Sequence, residues 1–168
     1  FQGAMNAWNP VVKVGEQIRE AMREHNPQNT KKQNTDKINE LFEMVGLLSS
    51  VSERFPHELS GGMKQRAMIA LALSCDPQLI IADEPTTALD VVIQDQILKE
   101  IRKVQELFGL SLIYISHDIA VIAEMTDKMA VMYAGRIVEK GPTKDIFANP
   151  QHSYTCLLYT SPSPRDRI

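Results

Sequence analysis

The sequence predicts an α/β fold in which a mostly helical region precedes a small sheet. Two short apolar runs, 78–83 and 110–116, are continuous, as expected of strands that are buried on both faces. The segment 91–108 between them has apolar residues at helical spacing: Ile93, Ile97, Ile101 and Val104. Strand, helix and strand in this order indicate a parallel pair joined by a crossover helix.

The region before the first strand contains three predicted helices: 11–25, 36–48 and 61–74. The first two are recognised by the spacing of their apolar residues, and the third is the long helical run that follows Ser60. The polar stretch 26–35 separates the first two. We therefore expect Thr35 or Asp36 to cap the second helix and Gly46 to end it. The apolar stripes of these two helices are Val14, Ile18 and Met22, followed by Ile38, Leu41, Phe42 and Val45.

The part of the chain after the second strand predicts a helix, a β-hairpin and a closing helix, in this order: 118–126, 128–133 with 136–141, and 143–149. Ala134-Gly135 is typical of the hairpin turn, and Thr143 is expected to cap the closing helix. These elements predict an antiparallel edge beside the parallel pair.

The composition excludes several classes of protein. With 43% hydrophobic and 23% charged residues, the 168-residue chain is an ordinary globular sequence, and its net charge of −3 gives no electrostatic reason for nucleic acid as a partner. Cys75 and Cys156 stand at unrelated positions, which indicates neither a disulfide framework nor a cysteine metal site. No segment has the pattern of a signal peptide or approaches the ~18 apolar residues of a membrane span. Any membrane role is expected to be peripheral.

The two ends differ from the rest of the chain. It begins Phe1-Gln2-Gly3 without a methionine, and from Cys156 onward it turns to serine and proline. This last segment resembles an in-frame translation of an adapter used in sequencing libraries, and a disordered Pro-rich tail is the alternative. We expect residues 156–168 to be a non-native tail and the chain to be a fragment cut at both ends.

Two acidic residues, Asp83 and Glu84, end the first strand. Ligands of open α/β sheets bind at the carboxyl ends of strands, and two desolvated neighbouring carboxylates repel each other unless a cation or a proton relieves them. A Mg²⁺–phosphate site supplies the cation, with Asp83 holding Mg²⁺ through water and Glu84 orienting or deprotonating an attacking water. Asp-Glu-Pro-Thr-Thr is equally good capping chemistry after a strand, so both interpretations stay open.

The second strand ends in Ser116, His117 and Asp118. If the two strands are neighbours, His117 lies beside Glu84 at the same edge of the sheet. A neutral imidazole there can donate to a γ-phosphate oxygen. The alternative is an ordinary helix start, with Ser116 as N-cap and His117 in the first turn.

Ser60, Gly61 and Gly62 stand directly before a helical run, although glycine is among the poorest helix formers. A helix start presents unpaired N–H groups and the positive end of the dipole, and glycine lets a phosphate approach the backbone. A serine N-cap followed by a glycine turn explains the same residues, so this stretch alone does not decide between the two.

The order of these motifs decides between the alternatives: 59–66, 79–84, 87–90 and 116–118. The series resembles the signature, Walker B, D-loop and switch histidine of the ATP-binding-cassette (ABC) ATPases, and Phe1-Gln2 resembles the start of their Q-loop. The resemblance covers nearly all of residues 1–155. It implies part of a P-loop NTPase (RecA-like) sheet with an inserted ABC helical subdomain.

The resemblance also implies a division of the chain: a Q-loop remnant at 1–10, the helical subdomain with the signature at 11–75, and the RecA-like α/β part at 76–155. ABC ATPases pair head to tail around ATP and Mg²⁺. The residues implied to bind the nucleotide are Gln2, Ser60, Gly61, Gly62, Gln65, Asp83 and Asp90. Gln2 and Asp83 are implied to hold Mg²⁺ through water, and Glu84 and His117 to be catalytic.

Residues 1–18 and 133–155 look like the ATPase subunits of dipeptide and oligopeptide importers, apart from Trp8 and Ser153, where leucine and proline are commoner. This likeness implies a motor at the cytoplasmic face of the cell membrane. Its partners are a second ABC ATPase subunit, transmembrane permease subunits and, indirectly, a solute-binding protein. The alternatives are an importer of nickel or another solute of the same subfamily, and a soluble non-transport ABC ATPase.

No G-x-x-x-x-G-K-[ST] motif occurs in the sequence, although such a P-loop is the main phosphate cradle of this chemistry. We expect it to precede Phe1 in the parent protein. We therefore expect the 168-residue chain by itself neither to bind ATP well nor to hydrolyse it. Micromolar affinity in a nucleotide titration of this chain would contradict that expectation.

Overall fold

The computed structural model describes residues 8–87 and 89–160, which fall into two compact units divided between Ile115 and Ser116. Gln2 lies outside the described residues. The first unit contains α1 (Val14–His25), α2 (Lys31–Met44), α3 (Gly61–Leu73), β1 (Leu79–Asp83), α4 (Val91–Phe108) and β2 (Ser111–Ile115), with 3₁₀ turns at Ser49–Glu53 and Pro56–Glu58. The second unit contains α5 (Ile119–Met125), β3 (Lys128–Tyr133), β4 (Arg136–Pro142), α6 (Thr143–Ala148) and α7 (Ser153–Thr160).

The predicted apolar stripes of α1 and α2 form the core of the helical region. Their side chains are at most 3% exposed: Val14, Ile18, Met22, Ile38, Leu41, Phe42 and Val45. Gly46 follows the end of α2 with a φ of 67°, in the left-handed region that favours glycine. This confirms the predicted stripes and the predicted end of the helix.

The predicted start of α2 is wrong. The helix begins at Lys31, and Thr30 rather than Thr35 or Asp36 is its N-cap. The Gln33 N–H donates to Thr30 Oγ1 at 3.3 Å, and the Thr30 N–H donates to Gln33 Oε1 at 2.8 Å. This reciprocal capping box satisfies two N–H groups of the first turn, so a polar stretch that resembles a breaker begins the helix.

The two strands β1 and β2 are parallel neighbours, in a register that runs from Leu79 opposite Ser111 to Asp83 opposite Ile115. The predicted parallel pair with its crossover helix is confirmed. One face of the pair packs on α3 and α4, where Ala82 is 2% exposed.

The prediction that these strands are buried on both faces is wrong for the described residues. The side chains of the opposite face are about half exposed, at 47–50%: Leu79, Ile81, Ile113 and Ile115. Strand side chains alternate between the two faces, and the helices α3 and α4 cover one of them.

The second unit contains the predicted hairpin. Strands β3 and β4 are antiparallel, and both Ala134 and Gly135 in the turn have positive φ, as a tight hairpin requires. They form a sheet of their own, so the hairpin does not hydrogen-bond to the parallel pair as an edge among the described residues.

The end of the second unit differs from the predicted closing helix. Thr143 is the first residue of α6 rather than its cap, and its hydroxyl lies 3.0 Å from that of Thr126. A further helix, α7, follows, and the carboxylate of Glu139 accepts the N–H groups of Gln151 and His152 just before it, at 2.9 and 3.1 Å. Helical structure thus reaches residue 160, within the segment 156–168 that we interpret as non-native, and that interpretation stays a prediction.

Candidate functional site

The acidic tip of β1 has an unusual backbone. Asp83 is the last residue of the strand, and Glu84 follows it with a φ of 46°. A non-glycine residue in this left-handed region is uncommon and costs on the order of 1–3 kcal/mol, so the surrounding structure must hold it there. The N–H of Glu84 donates to the Ile115 carbonyl at the end of β2, at 2.8 Å. The position of Glu84 is therefore set by the neighbouring strand.

The carboxylate of Glu84 is held as well. The Thr87 hydroxyl donates to Glu84 Oε2 at 2.9 Å, and the Thr87 N–H donates to the Glu84 carbonyl at 3.2 Å. Pro85 and Thr86 between them are buried. From the sequence, the threonines are interpreted only as capping chemistry, and no pattern in the sequence predicts this contact.

Ser60 is the N-cap of α3, as predicted by the interpretation of this stretch as a serine cap followed by a glycine turn. Its hydroxyl accepts the Met63 N–H at 3.3 Å, and its own backbone is extended. Gly61 and Gly62 form the half-buried first turn. We refer to Ser60, Gly61 and Gly62 as the diglycine cap. The capping geometry is compatible with a phosphate receptor, and that role stays a prediction.

Gln65 is placed beneath the surface. Its side chain is 5% exposed and lines an apolar crevice between α3, α4 and the sheet, together with Ala82 and Pro85. Gln65 thus lies on the inner side of the acidic tip, and its predicted contact with a nucleotide stays a prediction.

Asp90 is the N-cap of α4, and its Oδ1 accepts the Ile93 N–H at 2.9 Å. This helix start lies against the diglycine cap, because a Cβ added at Gly62 would be 3.0 Å from Ile93 Cγ2. The structure therefore brings together two predicted nucleotide-binding segments that are separated in the sequence by one helix, α3, and one strand, β1.

His117 belongs to the second unit, where it is exposed. The interpretation of Ser116 as the N-cap of α5 is wrong, because Asp118 is that cap: its Oδ1 accepts the Ala120 N–H at 3.0 Å. The Ser116 hydroxyl instead accepts the Asp118 N–H at 3.0 Å. The proximity of His117 to Glu84 stays a prediction.

The donor set at the acidic tip fits Mg²⁺ only if other ligands complete it. Within 8–87 and 89–160, no group of three or more His, Cys, Asp or Glu side chains could hold a metal ion. Mg²⁺ usually binds one or two carboxylates and takes its other ligands from phosphates and water. The carboxylate of Asp83 at the strand tip fits that mode, while Gln2 lies outside the described residues.

Comparison with protein families identifies the fold. The model of the ABC transporter family matches residues 4–87, which include the diglycine cap and the acidic tip. The chain belongs to the ABC transporter family. Nucleotide binding is the shared property of the ABC ATPases in this family.

Individual relatives agree with the family. The ABC chain is 49% identical to the oligopeptide transport ATP-binding protein OppD of Lactococcus lactis subsp. cremoris, with 97% of this chain and 49% of the relative covered. It is 50% identical to the dipeptide transport ATP-binding protein DppD of Haemophilus influenzae, with 96% and 49% covered. The chain thus spans about half the length of the curated relatives that it matches.

A solved structure has the same architecture. It is a dimeric, post-hydrolysis state of the ATP-binding cassette MJ0796 bound to ADP and Pi, with a TM-score of 0.72 and 25% identity. The likeness covers 85% of this chain and 61% of the solved chain. It confirms the predicted fold class, an α/β ABC fold of which this chain holds part.

Proposed function

We propose that the whole protein is the ATP-hydrolysing motor subunit of an ABC importer for di- or oligopeptides. The cargo is supported by the peptide-transport relatives, which match at 49–50% identity over 96–97% of this chain. The hydrolysis is supported by one observation above all. The acid in the Walker B position, Glu84, is held in a strained backbone conformation with its carboxylate bonded to Thr87.

Glu84 is the group that acts on the attacking water. A carboxylate held in one orientation accepts a proton from the water, or aligns it, without first having to be ordered. Asp83 precedes it at the strand tip and holds Mg²⁺ through water, together with Gln2. When bound, Mg²⁺ supplies charge neutralisation at the β- and γ-phosphates. His117 donates a hydrogen bond to the γ-phosphate.

The second set of residues serves the nucleotide of a partner ATPase. The diglycine cap points unpaired N–H groups and the positive end of the α3 dipole at an anion, which suits a γ-phosphate. Gln65 supports this helix start from the crevice between α3, α4 and the sheet. Asp90 contacts the partner subunit. The dimeric state of the solved relative supports a head-to-tail pair of ATPase subunits.

We place the protein peripherally at the cytoplasmic face of the cell membrane, bound to transmembrane permease subunits that receive solute from a binding protein. In the described part of the chain, no helix is long and apolar enough to cross a bilayer. Co-purification with permease subunits tests this location. Its failure, with ATPase activity intact, favours a soluble non-transport ABC ATPase.

The 168-residue chain alone is proposed to be inactive, because its sequence contains no P-loop. The catalytic test therefore uses the whole protein. We expect Glu84→Gln to lower ATP turnover by about 10²-fold or more and to leave nucleotide trapped, since a positioned general base contributes on that order. The matched control is Glu106→Gln on the exposed face of α4, which should retain turnover. Unchanged turnover in Glu84→Gln removes Glu84 from this role.

The cargo is tested by uptake. Cells that lack the gene should lose uptake of a labelled tripeptide and regain it with the wild-type gene but not with Glu84→Gln. Retained peptide uptake together with lost uptake of ⁶³Ni²⁺ would assign the nickel alternative instead.

A further inference from the structure

Gly62 has no conformational reason to be glycine. It lies inside α3, and it is not among the glycines with positive φ in the described residues, which are Gly46, Gly109 and Gly135. Any L-residue can adopt its backbone conformation, and glycine is about 1 kcal/mol less favourable than alanine within a helix. Two reasons remain for its presence: a ligand that must approach the backbone, or a neighbouring group that needs the space.

The structure shows such a neighbour in the same chain. A Cβ added at Gly62 would lie 3.0 Å from Ile93 Cγ2, which is closer than ordinary van der Waals contact. Apart from adjacent residues and the helix backbone, no other heavy atom of the described residues lies within 4 Å of that position. The close approach is therefore made by a single methyl group from the first turn of α4.

That methyl group cannot easily move. Ile93 is branched at Cβ, so Cγ2 moves only if χ1 rotates, and in a helix isoleucine strongly prefers one χ1 rotamer. Its backbone is fixed by the N-cap, because the Ile93 N–H donates to Asp90 Oδ1 at 2.9 Å. A side chain at Gly62 would push against a group that is attached to the Asp90 cap.

We propose that Gly62 is glycine to accommodate Ile93 of its own chain, and that Ile93 is a positioning residue that sets the spacing between the diglycine cap and Asp90. The diglycine cap and the Asp90 N-cap then move together. The effect on catalysis rests on the proposed function, in which both caps face the partner subunit, whereas the packing claim does not depend on it.

Two substitutions of Ile93 distinguish this proposal from the alternative that Gly62 leaves room for a phosphate. Ile93→Leu keeps the number of carbon atoms and removes the methyl branch at Cβ, while Ile93→Val keeps that branch. In the whole protein, Gly62→Ala should lower kcat for ATP about tenfold when Ile93 is unchanged, with a smaller effect on KM. In the Ile93→Leu background the loss should shrink to about threefold or less, and in the Ile93→Val background it should stay about tenfold.

Thermal unfolding of the same whole-protein variants gives a readout that needs no nucleotide. Gly62→Ala should lower Tm by about 4 °C with Ile93 or Ile93→Val. In the Ile93→Leu background it should leave Tm unchanged or raise it, because alanine favours the helix. If Gly62→Ala prevents folding, recovery of folded protein in the Leu background but not in the Val background carries the same conclusion.

Equal losses of kcat and Tm in all three backgrounds would overturn the proposal, because a clash with phosphate does not depend on residue 93. Rescue of Tm without rescue of kcat would overturn the positioning role of Ile93. If the unsubstituted whole protein does not hydrolyse ATP, the proposed function fails, and the Tm comparison still decides the packing claim.

Discussion

Arg66 joins three helices of the first unit through one guanidinium group. Its Nη1 donates to the Val45 carbonyl at the end of α2, at 2.8 Å, and the same nitrogen bonds to Glu100 Oε1 on α4. The side chains of Arg66 and Glu100 are 17% and 20% exposed. A Cβ at Gly46 would lie 2.7 Å from Nη1, so this glycine also leaves room for the guanidinium. We expect Arg66 to be a main determinant of stability in this unit.

The expected magnitude follows from these contacts. Arg66→Met keeps most of the aliphatic stem and removes both polar contacts. Removing one partner of a fully buried ion pair costs about 3–5 kcal/mol, and a hydrogen bond to a charged group contributes about 1.5–3 kcal/mol. Because about a fifth of each side chain remains exposed, we expect a loss of about 2–3 kcal/mol in the free energy of unfolding.

The assay is urea unfolding of the 168-residue chain, monitored by the fluorescence of its single tryptophan, Trp8. Trp8 is 5% exposed in the folded first unit. The matched control is Lys99→Met on α4, whose ion pair with Asp95 is exposed and should contribute about 0.5 kcal/mol or less. If Arg66→Met costs no more than Lys99→Met, the reasoning about the guanidinium is refuted.

Glu100 predicts a pH dependence for the same cluster. Burial raises the pKa of Glu100 above its ordinary value of 4.5, and the nearby Arg66 offsets only part of that effect. A raised pKa in the folded state means that Glu100 contributes stability below pH 4.5, which is lost as the pH rises through the folded value. Glu100→Gln removes this titration and keeps an acceptor for Nη1.

We expect Glu100→Gln to change the free energy of unfolding at pH 7 by about 1 kcal/mol or less, in contrast to Arg66→Met. The stability of Glu100→Gln relative to wild type should increase as the pH rises from 4.5 through the raised pKa of Glu100. A relative stability that falls over this range would show that the Arg66 charge dominates the environment of Glu100.

Two further predictions concern close contacts. Gly15→Ala places a Cβ 2.7 Å from Ser52 Cβ and 2.8 Å from the Ser52 carbonyl oxygen. It should therefore lower the free energy of unfolding by about 2 kcal/mol, although alanine normally stabilises a helix. A higher free energy of unfolding in urea would show that α1 and the 3₁₀ turn separate easily. Thr87→Val removes the hydroxyl that donates to Glu84, so in the whole protein it should lower ATP turnover by about three- to tenfold, while Thr87→Ser retains more. Equal turnover of the two Thr87 variants would show that the hydroxyl does not hold Glu84.

Much of this chain could be predicted from local patterns. Apolar spacing located α1 and α4, and the short apolar runs located β1 and β2, because each of these depends on residues within one segment. The order of the motifs gave the family, which the match over residues 4–87 shows. The misplaced start of α2 has a local cause as well, since Thr30 and Gln33 form a capping box inside a polar stretch.

Other features required the folded chain, because they depend on groups that are distant in sequence. The left-handed backbone of Glu84 is held by the Ile115 carbonyl of the neighbouring strand. The need for glycine at position 62 comes from a methyl group of Ile93, on a helix that follows an intervening strand. The sequence by itself determined the elements and the order of the motifs. Only the tertiary structure decided how the backbone of Glu84 is held and how closely the diglycine cap approaches the start of α4, since no local pattern encodes contacts between separate elements.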